Sequence, residues 1–111
     1  MAKLPSVTND SLTSAADYVE IDLTYTDNVA IQITGTFTGT ITFQASNNGT
    51  DFVSTTVRAS TQTATATEVT TTTAAGMFYL PNAHPELLRI TMTSYTSGTA
   101  VVDVFTSSIQ R

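Results

Sequence analysis

His84 is the only imidazole in the chain, and one carboxylate stands near it, Glu86. A zinc-type site needs three or four nitrogen, oxygen or sulfur ligands, which this neighbourhood does not supply. A general base needs a nucleophile within hydrogen-bond reach, and none is adjacent. Pro81 and Pro85 bracket the segment as a loop, so His84 reads as a loop histidine or as a pH-sensitive subunit contact. Glu20 and Asp22 are two apart on an alternating segment and share a face. Glycosidases hold two carboxylates roughly 5–10 Å apart across a cleft, not side by side along one strand. The pair reads as a solvated face, or as an acidic patch for a basic partner. Asn47-Asn48-Gly49-Thr50-Asp51 lacks the spaced carboxylates and the distal Glu of a calcium loop and reads as a hairpin turn. Asn48-Gly49-Thr50 is formally a glycosylation sequon, expected to stay bare without a secretory signal.

The rest of the composition narrows the chemistry further. There are no cysteines, which excludes disulfides, thiolate metal sites and thiol nucleophiles. No enzyme activity, metal or cofactor is expected. Four Lys and Arg stand against nine Asp and Glu. Lys3, Arg58, Arg89 and Arg111 are too scattered to make a phosphate-neutralising stripe, so no nucleic-acid partner is expected. No apolar run approaches a membrane span, and the N-terminal residues carry no apolar signal core. Charged residues are only 12% of the 111, while Thr supplies 25 and Ser 10. Apolar residues still make up 41%, which argues against disorder. Threonine is β-branched and suits a pleated surface, so the composition points to β structure.

Period-two alternation supplies the elements. Val19, Ile21 and Leu23 alternate with Glu20 and Asp22; Val29, Ile31 and Ile33 alternate with Ala30 and Gln32. Thr40 to Ser46 is apolar on its odd positions, and Phe52 to Val57 is expected as its return strand. Residues 60–75 are a Thr/Ala tract, read as a strand with small residues inward or as a loop. Met77 to Leu80 is a short strand stopped by Pro81. Leu88, Ile90 and Met92 alternate with Arg89, Thr91 and Thr93, and Thr99 to Thr106 closes the chain. Seven or eight short strands without a helix predict an all-β fold, an antiparallel β-sandwich or jelly-roll-like domain over residues 18–111.

Residues 1–17 lack apolar periodicity and are expected to form an extended N-terminal arm. The last strand has large apolar groups on both faces. Ala100, Val102 and Val104 occupy one face, and Val101, Asp103 and Phe105 the other. Burying Phe105 and Val101 is worth roughly 1.5–3 kcal/mol each, so that second face should meet another chain or be covered by the arm. Val101, Asp103 and Phe105, with Leu4 and Leu12 of the arm, are the candidate oligomer or partner contacts. Tyr25, Tyr79 and Tyr95 are a weaker sign of a contact surface, or of stacking on sugar rings.

The segment Gly35-Thr36-Phe37-Thr38-Gly39-Thr40-Ile41-Thr42-Phe43-Gln44-Ala45-Ser46-Asn47-Asn48-Gly49-Thr50-Asp51-Phe52 resembles a pattern in small β-sandwich proteins of tailed-phage virions. There, Gly-Thr-Phe and a small spacer precede a Thr-rich strand, a Ser- and Gly-containing hairpin and an aromatic. Leu87 to Thr93 followed by Ser97 to Val101 is similar to the closing hairpin of those modules. The resemblance runs roughly from Val19 to Val104, with Asn48 where Asp is common and Phe52 in place of Trp. It implies a non-enzymatic virion structural protein. The first candidate is a capsid decoration (cement) protein that stabilises the head by binding the major capsid protein. It would be made in the host bacterial cytoplasm, sit on the capsid surface as a homo-oligomer, commonly a trimer, and hold neighbours with its arm. The alternative is a tail, baseplate or fibre module that binds host surface glycan.

Overall fold

The computed structural model describes residues 6–24, 26, 28–59, 67–80 and 86–107. Among them are eleven strands and no helix. They are β1 Ser6–Leu12, β2 Tyr18–Asp22, β3 Asn28–Thr34, β4 Phe37–Ser46, β5 Val53–Ser54 and β6 Val57–Ala59. The remainder are β7 Thr67–Val69, β8 Thr71–Thr72, β9 Gly76–Tyr79, β10 Leu87–Gly98 and β11 Ala100–Ser107. All pairings are antiparallel. A six-stranded sheet runs β1-β11-β3-β9-β6-β7, and a five-stranded one runs β2-β10-β4-β5 with β8 also on β4. The fold is an antiparallel β-sandwich.

The alternating residues form the core. Val19, Ile21 and Leu23, Val29, Ile31 and Ile33, Leu88, Ile90 and Met92, and Ala100, Val102 and Val104 are all buried in one cluster. Phe43 and Phe78 join the two sheets at its centre, with ring centroids 5.1 Å apart. Thr42 sits on the nominally wet face of β4 yet is also buried. Its hydroxyl meets that of Thr93 at 2.9 Å. Thr93 lies where the β4–β10 register slips between Met92 and Ser94, and it also donates to the Thr40 carbonyl. The unpaired bulge residue thus finds its hydrogen bonds on the facing strand.

Among the described strands the chain changes sheet eight times, and four of these changes bear on the surfaces below. Between β5 and β6 the chain leaves one sheet for the other at Thr55-Thr56, so the expected return strand from Phe52 to Val57 is split in two. Gly35-Thr36 carries β3 into β4, and Gly98-Thr99 carries β10 into β11. These two corners lie against each other, with the Thr99 N–H donating to the Thr36 carbonyl at 2.9 Å.

The fourth change corrects the expected arm. Ser6–Leu12 is extended, but it is the outermost strand of the six-stranded sheet, paired with β11 from Ser6↔Thr106 to Leu12↔Ala100. Leu12 is 1% exposed within the core, so the boundary at residue 17 separates nothing that folds apart. Position explains this: an edge strand needs only its ladder and one buried side chain at its end. The turn to β2 is fixed by Ala16, at φ 72°, and by main-chain bonds from Ala16 and Asp17 to Met92. The Asp17 carboxylate accepts the Thr13 N–H at 2.9 Å. That bond, with smaller help from Ser14 and the Thr13 hydroxyl, holds the Asp17 carboxyl below its ordinary value of 3.8. A lowered carboxyl value stabilises the fold above the ordinary carboxylate range, and the contribution vanishes as pH falls through the lowered value. Urea midpoints followed from neutral to strongly acid pH should therefore fall less in Asp17→Asn than in the unaltered protein.

Candidate interaction surface

Cross-strand register assembles the outward face of the six-stranded sheet from residues far apart in sequence. One row runs Phe105, Ala30, Tyr79, Arg58 and Glu68, crossing β11, β3, β9, β6 and β7. A second runs Asn9, Asp103, Gln32 and Met77, and a third Ser11, Val101 and Thr34. Phe105 is 44% exposed and Tyr79 43%, two of the four large apolar side chains that stand out from the described surface. Val101, Ala30 and Met77 are half-buried around them. Each charge on this face has a local partner. Arg58 faces Glu68 at 3.6 Å, and the Asn9 amide donates to the Asp103 carboxylate.

The outward face of the five-stranded sheet is built differently. Arg89 on β10 lies between two rings, its guanidinium carbon 4.0 Å from the centre of Tyr18 and 3.8 Å from that of Phe52. Its Nη2 donates to Glu20 Oε1 at 2.7 Å. Beside it the Thr91 hydroxyl donates to Gln44 at 2.8 Å. The polar side chains here are largely spent on each other. Two cation–π contacts on a side chain 25% exposed are worth more than the exposed ion pair. Arg89→Ala should therefore lower stability by about 2–3 kcal/mol, against under about 1 kcal/mol for Glu20→Gln. Urea unfolding of both variants checks the ranking.

The candidate residues divide accordingly. Val101, Asp103 and Phe105 do share the outward face of the six-stranded sheet. Leu12 is a core residue and unavailable to a partner, because β1 completes the sheet. Leu4, Tyr25 and His84 lie outside the described residues. Glu20 and Asp22 are exposed on β2, Glu20 committed to Arg89 and Asp22 accepting the Thr24 N–H at 2.9 Å. In the hairpin, Asn48 Oδ1 accepts the N–H groups of Thr50 and Asp51, and Ser46 Oγ accepts those of Asn48 and Gly49. The Asn48 oxygen that a cation would use is turned onto the loop's own backbone. Among the described residues no cluster of three or more His, Asp or Glu side chains can hold a metal ion. No helix among them is long and apolar enough to cross a membrane. Met77 and Arg58 join the surface without any sequence signal for it, whereas Ala30 had its alternation with Val29 and Ile31. Tyr79 had one, its alternation with the buried Phe78. Tyr95 instead donates to the Gly98 carbonyl at 3.0 Å.

No protein-family model matches the sequence, and no curated protein matches it either. Among solved structures, the chain is similar in fold to the SPBc2 prophage-derived protein YomS. The TM-score is 0.74 at 16% identity, over 95% of this chain and 96% of that one.

Proposed function

We propose that this protein is a non-enzymatic structural component of a phage virion, a homo-oligomer that decorates the capsid by binding the major capsid protein. The observation that carries this reading is the outward face of the six-stranded sheet. It sets Phe105, Tyr79, Val101 and Met77 on a rigid frame, with Arg58 paired to Glu68 and Asp103 hydrogen-bonded to the Asn9 amide. Such a face suits packing against other copies or a shell. The resemblance over Gly35 to Phe52 supports a virion setting, and a shared fold with a protein of prophage origin supports the coarser reading of a phage-related protein.

The rival reading, a tail, baseplate or fibre module for host glycan, would use exposed tyrosines as stacking platforms. Of those described, Tyr18 is stacked on Arg89 and Tyr95 is tied to Gly98, which leaves Tyr79 alone. The test adds purified protein to capsids that lack it. Bound copies and a gain in heat resistance are expected; no binding would overturn the decoration role. Retention on host polysaccharide would move the assignment to the rival.

A further inference from the structure

We propose that Asn48-Gly49 is a deamidation site built into the hairpin after β4, and that the Ser46 hydroxyl holds it closed. The proposal concerns the chemical lifetime of the chain, whatever surface the protein binds.

The chemistry follows from the residue pair. Asn48-Gly49 is the one Asn-Gly step in the sequence. The main-chain nitrogen of Gly49 can attack Cγ of the Asn48 amide, losing its hydrogen to solvent. Nδ2 takes up a proton and leaves as ammonia. Water then opens the resulting cyclic succinimide at either carbonyl, giving aspartate or isoaspartate. Glycine suits the step because no Cβ hinders the approach to its nitrogen.

Attack requires Cγ over the Gly49 nitrogen, at roughly 3–3.5 Å with aligned orbitals. The loop ties each group concerned elsewhere. Asn48 Oδ1 accepts the N–H groups of Thr50 and Asp51, each at 2.9 Å, and the Ser46 hydroxyl at 3.0 Å. The leaving nitrogen, Nδ2, donates to Asp51 Oδ2 at 3.0 Å. The attacking nitrogen donates its hydrogen to Ser46 Oγ at 2.9 Å, and the Asn48 N–H donates to the same oxygen at 3.2 Å. Ser46 Oγ therefore holds both reacting partners, donating to the amide oxygen and accepting from the Gly49 nitrogen. Donors on Oδ1 draw charge from Cγ, which by itself favours attack, but swinging the amide onto Gly49 takes Oδ1 off them.

The frame that carries Ser46 does not follow such a swing. Ser46 is the last residue of β4, 4% exposed, and is paired with Leu87 of β10. Asn47 Oδ1 accepts the Glu86 N–H at 2.9 Å, which fastens the hairpin to the start of β10. Reaction therefore waits for a local opening of the hairpin, and the free energy of that opening sets the rate. The product keeps the hairpin from closing again. A carboxylate at position 48 stands against Asp51 where an N–H had stood, and like charges repel.

The experiment follows isoaspartate by enzymatic methylation and Asn-to-Asp conversion by mass, in warm, mildly alkaline buffer. The folded protein should react at least roughly tenfold more slowly than the same chain unfolded in urea. Ser46→Ala deletes three hydrogen bonds of the hairpin and should react roughly tenfold faster than the unaltered protein. Gly98→Ala weakens the fold from the opposite end of the β4–β10 pair and should leave the rate unchanged. Equal rates in folded and unfolded chains would overturn the proposal. So would a Ser46→Ala rate no higher than that of the parent, or an equal rise in Gly98→Ala. Should Ser46→Ala fail to fold, Asp51→Ala removes an exposed side chain and frees Nδ2 alone. It should raise the rate by roughly threefold, and no rise would overturn the proposal.

Discussion

Gly98→Ala should cost about 3–4 kcal/mol and lower the melting temperature by roughly 12–16 °C. Two independent penalties meet at that residue. Its φ is +91°, in the region where a Cβ costs about 1–2 kcal/mol. A Cβ there would also stand 2.3 Å from the Thr36 carbonyl oxygen and 2.7 Å from the Phe37 Cα. Those atoms are backbone of the neighbouring corner and cannot swing aside, so both corners must part, for about 2 kcal/mol more. Gly49 and Gly39 separate the two effects. At Gly49, φ is +79° but the nearest atom is a Leu87 methyl carbon at 3.8 Å, so Gly49→Ala should cost only about 1 kcal/mol. At Gly39 the backbone is not left-handed, yet a Cβ would meet the Ser94 carbonyl oxygen at 2.3 Å, so Gly39→Ala measures the steric part, about 2 kcal/mol. Thermal unfolding of the three variants gives the ranking. Equal losses at Gly98 and Gly49 would mean that the two corners do not lock each other.

Strands with strict alternation were legible in the sequence, at the edge of a sheet as well as at its centre. Val19, Ile21 and Leu23 face the core as expected, and so do Val29, Ile31 and Ile33. β1 was not legible. Thr8-Asn9-Asp10-Ser11 carries no apolar alternation: from Thr8 onward this edge strand buries Leu12 alone and takes the rest of its order from main-chain pairing. The break between β5 and β6 was hidden for a related reason. Phe52 to Val57 reads as one extended run, and nothing in Thr55-Thr56 marks the change of sheet. Of the Thr/Ala tract, Thr67–Val69 and Thr71–Thr72 are short strands, and residues 60–66 lie outside the described part. Gly76, which follows the tract, begins β9.

The interaction surface was half legible. The second apolar face of β11 follows from Val101 and Phe105 alone, because residues two apart on a strand share a side. Which residues complete that face depends on strand order, and the order β11-β3-β9-β6 joins elements from four separate parts of the chain. Local periodicity cannot supply that. The threonines show the same limit. Thr91 does stand on the outward face of its sheet, but Thr42 is buried, because Thr93 from the β10 bulge closes over it. A sequence pattern gives the side of a strand a residue faces; it does not give what lies beyond that side.

Phe43→Ala should be the most damaging single core change, at about 4–5 kcal/mol, the upper part of the range for a buried aromatic. The cost depends on how far the surroundings can relax into the cavity, and here they have little freedom. Phe43 is fully buried. Its N–H donates to the Thr70 carbonyl at 2.9 Å and its carbonyl accepts the Thr55 N–H at 2.8 Å, while β10 holds the other side of β4 through the Phe43↔Ile90 register. The main chain is thus pinned on both flanks, and the Phe78 ring, tilted by 48° against it, loses its partner on the facing sheet. The aromatic contact adds about 0.5–1.5 kcal/mol beyond the area buried. Phe43→Leu refills most of the volume and should cost much less, about 1.5 kcal/mol. Urea titration read by circular dichroism distinguishes them: both midpoints fall and the slopes stay parallel, because the exposed area on unfolding is nearly the same. A Phe43→Ala loss no larger than that of Phe43→Leu would mean that the sheets collapse into the cavity. That would also move β9, on which Tyr79 follows Phe78, so the outward contact surface is only as rigid as this ring pair makes it.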